Sequence, residues 1–210
     1  MNLKRITVLA LIIAMLTVLV GCSGALTPKD AINTLFSGLK KYDIEKMAKV
    51  LSEFPNADDC SVTYDPFSDT PYVLLYQKAY PDLKFTVVSI DQTSDTNATA
   101  IVKVTHPDLK TAYTTALYSS MAMIFSNEDL FNSVIENEDA EISYYVPNQM
   151  QNMVTNEQVE TIETEYTLQL VKEDKGWLIV TDEQLKNLVS SNLYKIASGT
   201  ENIFSQEETE

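Results

Sequence analysis

The side chains that could perform acid–base chemistry in this chain are one histidine, a pair of neighbouring glutamates and several tyrosines. His106 stands before Pro107 at the predicted end of a strand, where histidine is more often a turn residue than a catalytic base. Glu163 and Glu165 are two residues apart and share one face of a predicted strand. They could form a paired-carboxylate site, but polar alternation on the solvent side of a sheet explains them better. No catalytic residue is therefore assigned.

Metal-binding patterns are weak. One histidine and two cysteines leave too few ligands for the usual zinc sites. The polar segment 91–97 has side-chain oxygens at the first ligand spacings of a calcium loop, but Thr96 and Val102 stand where that loop needs Gly and Glu. We interpret it as the turn of a hairpin, and we expect neither a metal nor a cofactor.

The first 22 residues have the pattern of a secretory leader. Lys4 and Arg5 precede an apolar run of fifteen residues, 6–20, broken only by two threonines. This run is short for a membrane-spanning helix, which needs about 20 residues. Residues 19–22 read Leu-Val-Gly-Cys. The tetrapeptide resembles the lipobox of bacterial lipoproteins, in which Leu, a small or branched residue and Gly or Ala precede the cysteine.

The lipobox resemblance implies a lipid anchor at Cys22. Residues 1–21 would be the signal peptide, Cys22 would receive a thioether-linked diacylglyceryl group, and 22–26 would be a tether. Two acyl chains hold a protein stably at a bilayer, whereas one holds it weakly. The expected location is thus the extracytoplasmic face of a bacterial cell membrane. The alternative is an uncleaved signal anchor with an incidental cysteine.

The chain is strongly acidic, with 15 basic and 30 acidic residues, a formal charge of −15 and a pI near 4.4. Residues 1–21 contain two of the bases and no acid, so the chain from Cys22 onward has 13 bases, 30 acids and a charge of −17. Such a surface repels phosphate backbones, which argues against a nucleic-acid partner. Once Cys22 is acylated, Cys60 has no partner for an internal disulfide.

Apolar periodicity predicts a single α+β domain over 27–197. Helix starts are expected at Thr27-Pro28 and at Asp43, and a third helix over 71–80. Residues 85–90 and 98–105 are rich in β-branched side chains and predict a hairpin.

The second half of the domain is predicted from the same patterns. Apolar and polar residues alternate over 162–170, which predicts one half-buried strand. A turn connects it to a short strand that contains Trp177, and a final helix follows. A helical insertion of about 107–156 separates the hairpin from this strand, and its part after residue 136 is the least regular. The acidic end, 198–210, is predicted to be disordered.

This order of elements resembles the cone-shaped fold of the nuclear transport factor 2-like (cystatin-like) superfamily, and within it bacterial lipoproteins of unknown function. The segments that carry the resemblance are 27–43, 98–104 and 171–179. It implies a curved antiparallel sheet with N-terminal helices against its concave face. Tyr113, Tyr166 and Trp177 are then the candidate ligand contacts inside the cone. A shared fold says little about function, since members include enzymes and passive binding modules.

Two functions fit these expectations. The favoured one is a membrane-tethered, non-enzymatic module that binds a small-molecule or protein partner through the cone or the insertion. The alternative is a small isomerase or dehydratase that uses the cone cavity. That alternative predicts a buried carboxylate or histidine facing a tyrosine hydroxyl beside a cavity of a few hundred Å³.

Overall fold

The computed structural model describes residues 25–52, 70–136 and 142–197. The leader, Cys22, Cys60 and the acidic end lie outside the described residues. The helices are α1 (Pro28–Leu39), α2 (Ile44–Ala48), α3 (Thr70–Ala79), α4 (Leu109–Ser126), α5 (Glu128–Glu136), α6 (Ile142–Thr155), α7 (Glu183–Val189) and α8 (Leu193–Ala197). The strands are β1 (Lys84–Gln92), β2 (Asn97–Pro107), β3 (Thr161–Glu173) and β4 (Gly176–Ile179).

The four strands form one curved antiparallel sheet in the order β1-β2-β3-β4. Even-numbered residues of β2 are buried from Ala98 to His106, and Tyr166, Leu168 and Leu170 are buried on the same face of β3. The odd-numbered residues of these strands are exposed or half-buried. The predicted alternation is confirmed, and with it the α+β class.

The opening helices form where the sequence predicts them. Thr27 caps α1: its hydroxyl accepts from the amide of Asp30, and the Asp30 carboxylate accepts from the Thr27 amide. The Asp43 carboxylate accepts from the amide of Lys46 at the start of α2. Tyr42 adopts φ 50° between them, which makes the tight corner. This corner directs α1 and α2 onto the same core.

The core lies between the concave face of the sheet and the helices. The ring of Phe36 on α1 stacks on Phe85 of β1 with centroids 4.0 Å apart. The hydroxyl of Tyr80, after α3, donates to the carbonyl of Val189 at the end of α7 (2.7 Å). These contacts join the N-terminal helices, the sheet and the C-terminal helices into one core.

Three helices, α4 to α6, connect β2 to β3. Helix α6 packs against both α3 and α4, and α5 packs against α4. The irregular sequence after residue 136 thus includes a helix of 14 residues that contains Pro147. The amide of Leu130 donates to the side chain of Asn127, so Asn127 caps α5.

The outer edge of β4 is covered by two short backbone contacts. Leu26 bridges Gly176, and Leu51 bridges Ile179, both in parallel orientation. Gly176 has φ 114°, and a Cβ there would lie 2.3 Å from the backbone nitrogen of Leu26. Only glycine fits both the backbone angle and the close approach. The start of the domain is therefore fixed directly to the sheet.

None of the helices among the described residues combines the length and apolarity that a bilayer crossing requires.

Candidate functional site

His106 lies inside strand β2, which ends at Pro107, two residues beyond the expected strand end, and only 1% of the surface of His106 is exposed. The strand continues because β2 pairs with β3 as far as Pro107 and Thr161. Proline has no backbone N–H to donate, and it is tolerated here because it is the last residue of the strand, where no further ladder hydrogen bond is required. The sole histidine of the sequence is thus a buried residue of the concave face rather than a turn residue.

Both ring nitrogens of His106 have hydrogen-bond partners. Nδ1 lies 2.9 Å from the carbonyl oxygen of Pro107, which can only accept, so Nδ1 carries the proton. Nε2 of the neutral ring is then an acceptor, and it lies 3.1 Å from the Thr164 hydroxyl and 3.2 Å from the Tyr166 hydroxyl. The result is a buried polar network on an otherwise apolar face.

The pKa values in this network follow from burial. Loss of solvation lowers the pKa of His106, and the backbone contact with Pro107 and the charge of Asp108 partly oppose this. Burial raises the pKa of Tyr166 to about 12, against the opposite effect of hydrogen bonds with Thr164 and Asn192. Both side chains are therefore neutral at pH 7, and the network carries no net charge.

A partly open cleft of about 390 Å³ lies beside His106, at the end of the sheet where β1 and β3 begin and β2 ends. Helices α3 and α6 meet over it, and Lys78 Nζ donates to the Thr155 hydroxyl between them (3.4 Å). The lining residues are Lys78, Ala79, Asp82, Lys84, Thr105, His106, Pro107, Val154, Glu157, Val159 and Thr161. The cleft has the volume of a typical small-molecule site.

The charged groups of the cleft balance one another. Lys78 and Lys84 contribute two positive charges, and Asp82 and Glu157 two negative ones, in a chain that is otherwise strongly acidic. Ala79, Val154 and Val159 add apolar surface. A ligand carrying both charge signs on a small apolar frame would match this lining.

None of the three predicted ligand contacts lines this cleft. Tyr166 is buried in the His106 network. Tyr113 on α4 is half-buried, packs against the core, and its pKa is raised by burial. Trp177 pairs with Lys172, six residues beyond Tyr166 along β3, which corresponds to about 20 Å.

The weaker site patterns of the sequence have ordinary structural roles. Glu163 and Glu165 are exposed on the outer face of the sheet, where Glu163 lies 3.4 Å from Lys103 Nζ. The segment 91–97 is a hairpin turn in which the amide of Thr93 donates to the carbonyl of Asn97 (2.9 Å). Within the described part of the chain, no group of three or more His, Cys, Asp or Glu could hold a metal ion.

The charged cleft residues and Thr164 were not predicted. Lys78 and Glu157 are 79 positions apart, and each is exposed in its own helix or turn, so neither carries a local pattern. Thr164 is part of the alternation that predicts β3, but alternation gives only the face and not the hydrogen-bond partner. Only the pairing of β2 with β3 places it beside His106.

Comparison with known proteins gives no match: no family model matches the sequence, and no curated protein or solved structure is significantly similar to it.

Proposed function

We propose that this chain is a lipid-anchored, extracytoplasmic binding protein that holds a small polar ligand in the cleft beside His106 without converting it. The observation that carries the proposal is the cleft itself, which combines a suitable volume with charged, polar and apolar lining. The lipobox-like segment that ends at Cys22 supports the location. In this proposal the lipid on Cys22 inserts into the membrane, and the folded domain binds the ligand.

The proposed fold is of the nuclear transport factor 2-like kind. Support comes from the order of the elements: two opening helices joined by a tight corner, a third helix, a hairpin, and a long strand that turns into the strand containing Trp177. The α4–α6 segment is then an insertion between the hairpin and the long strand.

The network around His106 supports binding over catalysis. A general base must have a nitrogen available to the proton that it removes. Nδ1 of His106 donates to Pro107, and Nε2 already has two hydroxyl partners. The ring therefore forms part of the cleft wall and is held rigid by its own contacts.

The ligand class that best fits the balanced lysines and carboxylates is a zwitterion, of which free amino acids are the simplest probes. We expect isothermal titration of the chain from residue 22, carrying Cys22→Ser, to detect at least one of the twenty amino acids. All described elements lie between residues 25 and 197, so this chain retains the whole fold. Filling the cleft with Val159→Trp should weaken that binding at least tenfold, which is about 1.4 kcal/mol.

The matched control is Val88→Trp, since Val88 is an exposed valine on β1 outside the cleft. It should leave the affinity unchanged. Absence of heat with every amino acid would overturn the zwitterion assignment. Equal binding by the Val159→Trp variant would show that the ligand lies elsewhere.

The second candidate function is an isomerase or dehydratase. It is favoured by one observation, the buried His106 imidazole 3.2 Å from the Tyr166 hydroxyl beside a cleft. The test is a general-base probe, the elimination of 5-nitrobenzisoxazole. A rate above background that is lost in His106→Gln would support the enzyme. Equal rates for both proteins would exclude His106 as a base for this probe.

A further inference from the structure

Helix α4 has apolar residues on two opposite faces. Its inner face, with Ala112, Ala116 and Ile124 among its buried residues, packs toward the core. No charged residue occurs in the sequence between Lys110 and Glu128, which spans almost the entire helix. A helix with a single buried face normally carries charges on the opposite face, so the composition of α4 indicates a second apolar contact.

The outer face of α4 presents a stripe of large apolar side chains, which we call the aromatic stripe: Tyr118, Met121, Phe125 and, from α5, Phe131. The first three recur at intervals of three and four residues, which places them on one helical face. Phe125 is 66% exposed and Tyr118 is 50% exposed. The rings of Phe125 and Phe131 are in contact, with centroids 5.8 Å apart, so the stripe continues from one helix to the next.

The charged residues nearest to the aromatic stripe in the sequence are acidic. Glu128 and Asp129 form the first turn of α5, directly between Phe125 and Phe131 in the chain. The sequence has no lysine or arginine between Lys110 and Lys172. A second copy of this chain would bring a charge of the same sign against the stripe, and an anionic membrane surface would be repelled in the same way.

We propose that the aromatic stripe is a docking surface for a cationic amphipathic protein segment, one that presents apolar side chains flanked by lysine or arginine. Exposed aromatic and methionine side chains supply the apolar contact that dominates such interfaces. The carboxylates of Glu128 and Asp129 select the charge of the partner. The surface lies on the insertion helices and includes no residue of the cleft, so its occupation is independent of the ligand proposed above.

The test measures binding of a fluorescent eighteen-residue Leu/Lys helical peptide to the chain from residue 22 with Cys22→Ser, by anisotropy. Two peptides of the same length serve for comparison, one of Leu and Glu and one of Ser and Lys. We expect the Leu/Lys peptide to bind at least tenfold more tightly than either. The double variant Phe125→Ser/Phe131→Ser should lose at least tenfold in affinity, as expected for central aromatic contacts.

Matched variants alter the same residue types elsewhere on the surface. Leu74→Ser with Val88→Ser removes two other exposed apolar side chains, and Glu163→Gln with Glu165→Gln removes two other exposed acids. Both should leave the affinity within about twofold, whereas Glu128→Gln with Asp129→Asn should weaken it several-fold.

Several outcomes would overturn the proposal. Equal loss in the control variants, or equal binding of the Ser/Lys peptide, would show a general charge attraction. Equal binding of the Leu/Glu peptide would contradict the charge selection. A dimer detected by sedimentation that the double aromatic variant abolishes would assign the stripe to a second copy. Binding to phosphatidylcholine vesicles that the same variant abolishes would assign it to the membrane.

Discussion

Nε2 of His106 lies 3.2 Å from the hydroxyl oxygen of Tyr166, and both side chains are at least 98% buried. They come from neighbouring strands and meet on the concave face. A one-residue slip between β2 and β3 would move one partner to the solvent face and break the contact. The pair therefore specifies the register of the two longest described strands, and His106 itself also lines the cleft.

Tyr166→Phe tests the structural part of that role. The substitution removes one hydroxyl partner of Nε2 but leaves the Thr164 hydroxyl within 3.1 Å. We expect a loss of about 1–2 kcal/mol in the free energy of unfolding, measured with urea. Tyr145→Phe is the control, since Tyr145 is a half-buried tyrosine on α6 and is not one of the residues that contact His106. An unchanged denaturation midpoint for Tyr166→Phe would mean that the contact contributes nothing to stability.

His106 should make the stability depend on pH below its ordinary pKa of 6.5. Its pKa in the folded protein is lowered, chiefly by burial, so the unfolded chain binds a proton at higher pH than the folded chain does. The stabilisation that results from this difference in pKa is fully present above pH 6.5. It is lost as the pH falls through the pKa that His106 has in the folded protein. We expect urea midpoints to fall from pH 7 to pH 5.5 more steeply in the native sequence than in His106→Gln. An equal dependence of the urea midpoint on pH in the two proteins would contradict this prediction.

Gly176→Ala should destabilise the fold. A methyl group at φ 114° would lie against the backbone of Leu26 and would strain residue 176 itself. Backbone strain of this kind costs about 1–3 kcal/mol, and thermal unfolding should show it as a lower Tm. Asp174→Ala, in the exposed turn just before, is the control and should change little. A neutral Gly176→Ala would disprove the close approach of Leu26.

Cys22→Ala should release the protein from the membrane fraction. The proposed diacylglyceryl group is attached to this thiol, and without it no acyl chain holds the domain at the bilayer. Mass spectrometry of the native protein should find an N-terminal Cys22 with added lipid, and none in the variant. Cys60→Ala offers the matched control and should stay in the membrane fraction. A native protein that keeps Met1 and gains no lipid mass would contradict the anchor.

The fold could be predicted to the extent that its signals are local. Thr27 and Asp43 cap their helices as expected, and the alternation in 162–170 gives the buried face of β3. The bounds of α6 within the predicted helical insertion could not be predicted, because Pro147 and the polar residues around it hide the helical period. Its apolar contacts are with α3 and α4, which are distant in the sequence.

The candidate site was harder to predict than the fold. The alternation of β3 places Tyr166 on the buried face of the sheet, but the local sequence predicts a turn role for its partner His106 because Pro107 follows it. Strand pairing with Thr161 overrides that local signal. The lysines and carboxylates of the cleft are each ordinary surface residues until α3, α6 and the sheet bring them together.

The bridge between Leu26 and Gly176 also limits how far the protein can stand from its proposed anchor. Leu26 is four residues beyond Cys22 in the sequence, and a fully extended chain covers about 3.5 Å per residue, or roughly 14 Å in all. That span is less than twice the screening length of about 8 Å at physiological salt. With the proposed anchor, the β4 edge of the domain would therefore lie close to the membrane surface. Repulsion between the acidic residues of the domain and anionic headgroups would favour orientations in which the rest of the domain points away from the bilayer.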